Sequence, residues 1–175
     1  AKAVETPVVL KEWAAFAGNT DSVFVVPVLN DENYTYIATY TVNSLTGPNI
    51  LLLCYDKDKK EEWTQSWSSS GFNRDQPSDM VMDKNYLYIC GATFSPTSNY
   101  NYIVMQVDKS DGSIEWVNTF NGLASNYDVA TGLVVYGDYV YVTGASFKSA
   151  SMTNYNTRCY KKDGGTFQWE TEYDY

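Results

Sequence analysis

Tyr139-Val-Tyr-Val-Thr-Gly-Ala-Ser146, then Arg158-Cys-Tyr-Lys-Lys-Asp-Gly-Gly165, then Trp169, is the stretch that decides the fold. Tyrosine and valine alternate up to a glycine, a charged turn follows, and a tryptophan stands in the next run. Aromatic and β-branched side chains suit a pleated, half-buried surface, so these runs read as strands. The pattern recurs upstream. Tyr86-Leu-Tyr-Ile-Cys-Gly-Ala92 leads to Trp116, and Tyr34-Thr-Tyr-Ile-Ala-Thr-Tyr40 leads to Trp63. Trp63, Trp116 and Trp169 lie 53 residues apart, and Trp13 lies 50 before Trp63. Gly91 and Gly144 keep the interval of 53, as do Asp75 and Asp128, and Thr39 takes the glycine's place in the first copy. A self-similar period of this size means one supersecondary unit used several times.

Each unit holds four short apolar or alternating runs separated by polar turns, and no long segment carries a helical apolar period. The expected architecture is all-β: a propeller-type array of four-stranded antiparallel blades. A sandwich gives no reason for the echo, and a parallel β-helix has a much shorter repeat. The single repeat domain over residues 1–175 divides into an outer strand at 8–17 and blades at 21–67, 75–120 and 128–173. Propellers close with about four to eight blades, so three blades and a lead strand leave the ring incomplete. A piece of a longer propeller, pairing with copies of itself, or an open arc capped by another protein would each resolve this. The end blades are expected to expose apolar faces.

The third copy, from Asn121-Gly122 through Asp128-Val-Ala130 to Trp169, resembles the bacterial seven-bladed β-propeller repeat family. The second copy keeps Asp75, Gly91, Asp111-Gly112 and Trp116 of that pattern. The first diverges most, with Lys59-Lys60 where the turn glycine should stand. The resemblance implies a propeller fold and an extracellular or cell-surface setting. It rests on structural positions and implies no activity.

The 12 basic against 21 acidic residues give a net charge of −9, which repels phosphate backbones and argues against nucleic acid. No apolar run reaches the length of a membrane span. No basic-then-apolar leader pattern opens the chain. Cys54, Cys90 and Cys159 are expected as free thiols, since equivalent sites a blade apart exceed a disulfide's reach of about 4.4–6.8 Å. Asn33-Tyr34-Thr35 is the one glycosylation sequon, at a turn.

Histidine is absent, which removes the commonest general base, triad partner and metal ligand. No nucleophile elbow or phosphate loop is present. The charged turns at 56–58, 108–112 and 162–165 offer two carboxylates at most, short of the roughly six to eight oxygens calcium takes. Asp-Gly there suits turn geometry alone. No catalytic residue, metal or cofactor is therefore assigned. Asp75 and Asp128, before the first strands of their blades, are expected to accept backbone hydrogen bonds. Trp13, Trp63, Trp116 and Trp169 are expected to pack between blades.

Binding is expected on the face that collects the long polar loops, read at 41–49, 68–77, 95–101, 121–127 and 148–156. Phe72, Arg74, Tyr100, Tyr127 and Tyr155 lie there among amides, a mix suited to sugar or protein contact. The function expected is a non-enzymatic binding or assembly scaffold, with a protein partner or self-association through the end blades and a glycan as a further ligand. The alternative is a carbohydrate-active enzyme or lectin-like domain on the same loops, with carboxylates such as Asp75 and Asp128 as acid and base.

Overall fold

A computed structural model of the chain describes residues 27–41, 47–69, 74–124, 126–149 and 152–174. Trp13, the strand at 8–17, and Phe72 lie outside them. The described residues form three four-stranded antiparallel sheets, arranged as blades that do not close into a ring. Blade 1 comprises β1 (Val28–Asn30), β2 (Tyr34–Thr41), β3 (Asn49–Asp56) and β4 (Glu61–Trp67). Blade 2 comprises β5 (Gln76–Met82), β6 (Tyr86–Ser95), β7 (Asn99–Asp108) and β8 (Ile114–Phe120). Blade 3 comprises β9 (Val129–Tyr136), β10 (Tyr139–Ser149), β11 (Met152–Lys161) and β12 (Phe167–Tyr173). Strands follow sequence order across every sheet, and β1, β5 and β9 stand at the corresponding edges as neighbours.

Each blade has a leading face toward the blade before it and a trailing face toward the blade after. Strand alternation sends Tyr88, Cys90, Tyr102, Val104 and Trp116 to the trailing face of blade 2 and Leu87, Ile89, Ile103, Met105 and Val107 to its leading face. One buried cluster joins the trailing face of blade 1 to the leading face of blade 2. A second joins the trailing face of blade 2 to Ala130, Leu133, Val140, Val142 and Tyr160 of blade 3.

The joints are built twice from the same parts. Trp63 Nε1 donates to the Lys109 carbonyl across the first joint at 2.9 Å, and Trp116 Nε1 donates to the Lys162 carbonyl across the second at 2.8 Å. Lys109 Nζ lies 2.7 Å from Asp31 Oδ2 and above the Tyr36 ring, and Lys162 Nζ lies 3.0 Å from Asp83 Oδ2 and above the Tyr88 ring. Tyr36 and Tyr88 donate their hydroxyls to these same carboxylates. Arg158 of blade 3 adds to the second joint, with its guanidinium 3.8 Å from the Phe120 ring centre and its ion pair going to Glu170.

The Asp31 latch has an acid signature. Burial works to raise this carboxyl, but the Lys109 ammonium and the amides of Asn33 and Tyr34 outweigh it and hold it at about 2, against 3.8 in the ordinary state. A folded-state value below the unfolded one stabilises the fold above pH 3.8, and that contribution is lost as pH falls toward 2. Thermal unfolding from pH 5 to 2 should show the midpoint falling in that window, with Asp31→Asn falling less steeply there. Parallel curves for the two proteins would contradict the latch.

Candidate functional site: an aromatic cleft between blades 2 and 3

The polar loop face differs from its sequence reading. The segment at 95–101 is a tight turn, since β6 runs to Ser95 and β7 begins at Asn99, and β10 and β11 likewise reach Ser149 and Met152. The strand ends are polar because they lie outside the apolar clusters, where buried Thr93 and Ser146 hydrogen-bond to Asp75 and Asp128, so they carry no apolar alternation. Asn99 adopts a left-handed backbone, φ 62°, which closes the β6–β7 turn.

This geometry brings three of the expected binding residues together. Arg74, Tyr100 and Tyr127 line a cleft of about 470 Å³ with Phe94 and Asn99. Phe94 and Tyr100 meet edge to face at 5.4 Å between ring centres, as cross-strand partners on β6 and β7. Tyr100 and Tyr127 lie 4.6 Å apart, one from each blade. Burial and the Tyr100 hydroxyl raise the Tyr127 phenol above its ordinary value. The Asn99 amide donates to Asn126 Oδ1 at 3.4 Å. The cleft thus offers a guanidinium, aromatic faces and amides, partners for hydroxyls and for a negative charge.

Asp75 and Asp128 hold the backbone beside this cleft. Both are fully buried. Asp128 accepts from the Gly122 amide, the Ser146 hydroxyl and the Phe147 amide, and its own amide donates to the Tyr100 carbonyl. Asp75 accepts from the Ser69 amide and hydroxyl and from the Thr93 hydroxyl, and its own amide donates to the Pro48 carbonyl. Each carboxylate ties the loop leaving one outer strand to the second strand of the next blade. Every carboxylate oxygen is engaged, so neither residue presents a free acid to the cleft.

Tyr155 is not part of the cleft. It lies on β11, paired with Ala145 and Tyr173, in the register position that Tyr102 holds on β7. Tyr102 is 1% exposed and donates its hydroxyl to the Asn156 carbonyl across the joint, whereas Tyr155 is 62% exposed. Its place in the repeat is therefore a blade-to-blade contact position. Gly91 and Gly144 sit where β5 and β9 change register against β6 and β10. Trp63 and Trp116 are buried in the joints, while Trp169 is 44% exposed on the last blade.

Phe94 and Asn99, unmarked in the sequence reading, became cleft residues only through the tight turn that sets β6 against β7. The latch residues Asp31 and Asp83 were also missed. The matching strings Asp31-Glu-Asn-Tyr-Thr-Tyr36 and Asp83-Lys-Asn-Tyr-Leu-Tyr88 were the available signal. No group of three or more metal-ligating side chains exists among the described residues. Nor do they include a helix long and apolar enough to cross a membrane.

No family model matches the chain, and no curated protein does. Similar solved structures include three substituted forms of the Synechocystis apocarotenoid oxygenase. One has a TM-score of 0.49 at 10% identity, covering 79% of this chain and 35% of that one. Two others have TM-scores of 0.48 with the same identity and coverage. The chain therefore spans about a third of those proteins' length, 35%.

Proposed function

We propose that this chain is a non-enzymatic extracellular or cell-surface module of the bacterial propeller-repeat type, a scaffold that presents the cleft between blades 2 and 3 and joins a neighbouring protein through its last blade. One observation carries the binding reading: Arg74, Phe94, Tyr100 and Tyr127 converge from two blades onto one concavity. The ligand class the cleft suits best is a glycan. Aromatic faces stack on sugar rings, amides meet hydroxyls, and Arg74 favours an acidic sugar. The repeat resemblance supports the extracellular setting.

Calorimetry against a panel of neutral and acidic oligosaccharides tests this. Tyr100→Ala should weaken the best ligand about three- to tenfold, the range expected for one aromatic contact, with no drop in melting temperature. The side chain is separable from the fold because Asp128 is held by the Tyr100 backbone carbonyl. Arg74→Ala should reduce the preference for acidic over neutral sugars. A panel without a binder, or a Tyr100→Ala chain that binds as wild type, would sink the glycan reading.

A further inference from the structure

The first turns of blades 1 and 2 are built alike. In Asp31-Glu-Asn-Tyr-Thr35 the Asp31 carboxylate accepts from the Asn33 and Tyr34 amides at 3.0 Å each, and the Asp31 amide donates to the Tyr34 carbonyl at 3.0 Å. In Asp83-Lys-Asn-Tyr-Leu87 the same three bonds form at 3.0 Å through Asp83, Asn85 and Tyr86. The Asn33 side chain makes none of the bonds that shape its turn, and the residue is exposed. A substituent on its amide therefore leaves the turn intact.

One position sets the two turns apart. Thr35 pairs with Asn30 and Tyr55, as Leu87 pairs with Met82 and Val107, and Val140 with Val135 and Tyr160. Leu87 is 1% exposed and Val140 is fully buried, each inside a joint cluster. In blades 2 and 3 packing selects an apolar residue at this place, whereas blade 1 carries a hydroxyl. That hydroxyl stands two residues after Asn33 and converts a turn former into the Asn-x-Thr acceptor pattern. Asn85, followed by Tyr86 and Leu87, occupies the same turn position without it.

We infer that Asn33 is an N-glycosylation site, modified by an oligosaccharyltransferase that draws on a polyprenyl-linked sugar donor. Asn33 Nδ2 displaces the polyprenyl pyrophosphate from the anomeric carbon. One N–C bond forms, one C–O bond breaks, the pyrophosphate leaves on its lipid, and the amide proton passes to the transferase. Acceptor recognition needs the Thr35 hydroxyl together with the amide. In the fold Thr35 is held in β2 between two paired strands, so transfer precedes closure of the β1–β2 hairpin. The turn that carries Asn33 lies at the opposite end of the strands from the β6–β7 turn that builds the cleft. A bulky, solubilising oligosaccharide there leaves the cleft open. The inference rests on the extracellular half of the proposed function and is independent of the cleft.

The test exports the full chain, through an added leader, from cells that hold such a transferase. Wild type should gain the mass of one oligosaccharide over 19.7 kDa, and tandem mass spectrometry should place it on Asn33. Asn33→Gln and Thr35→Val should each lose the gain completely, whereas Thr35→Ser, which restores the hydroxyl, should keep it. Valine is what the repeat itself carries at this place in blade 3, so the Thr35→Val chain should stay folded. Chain folded without sugar, then given the transferase and its lipid-linked donor, should lose most of its acceptance. Exported, folded wild type at its bare mass, or a gain that survives Asn33→Gln, would overturn the site. Folded chain accepting as readily as nascent chain would overturn the order of transfer and folding. Because the leader is supplied, none of these outcomes depends on where the native protein resides, which surface labelling of its own cells reads separately.

Discussion

Trp116→Ala should cost about 3–5 kcal/mol, whereas Trp169→Ala, the same residue at the same place in the repeat, should cost less than about 1 kcal/mol. The difference is burial. Trp116 is 8% exposed, packs against Tyr160 and Gly165 of the next blade, and donates to the Lys162 carbonyl. Removing it empties the joint and strips that carbonyl of its partner. Trp169 is 44% exposed, resting on Tyr141, with no blade packed over it among the described residues. Urea unfolding of the two variants reads the contrast directly. Equal losses would mean that Trp169 is covered in solution or that the joint geometry is wrong.

The second large effect is expected from Gly144→Ala. The alanine Cβ would fall inside the contact shell of the Val129 carbonyl oxygen and 2.8 Å from Ala130 Cα. Both are backbone atoms of the inner strand, so no side chain can swing away. The register of β9 on β10 shifts between Thr143 and Gly144, and the close approach belongs to that bulge. Relief requires β9 to move, and β9 carries Ala130 and Leu133 of the second core cluster. A loss of about 3 kcal/mol or more is expected. Gly132→Ala is the internal control, since its Cβ would meet nothing closer than 3.9 Å. Similar melting temperatures for the two variants would contradict the bulge as drawn.

Much of this fold is written in periodic positions. A tryptophan or tyrosine that must fill the same joint in successive blades recurs at the repeat interval, so Trp63 and Trp116 announce the blades directly. Gly91 and Gly144 announce the bulge in the same way. The cleft was half legible: Arg74, Tyr100 and Tyr127 stand out as large side chains among polar residues, but that Tyr155 belongs elsewhere depends on where β11 begins. Polar strand ends outside the apolar clusters look like loop in a sequence. The joint chemistry was least legible, because its latch carboxylates, Asp31 and Asp83, stand in polar turns where aspartate is common for turn geometry alone. Both look like turn formers until the ammonium of Lys109 or Lys162 is placed beside them.

Each of the two core clusters spans one joint, and blade 2 belongs to both. Stability in such an array is close to a sum of blade terms and nearest-neighbour terms, as in a short one-dimensional chain of coupled elements. Blade 2 is coupled twice and blade 3 once. Blade 3 can therefore open while the first joint stays intact, whereas opening blade 2 breaks both couplings together. Blade 1 shares only one cluster as well, so unfolding begins at an end blade and takes the central blade last.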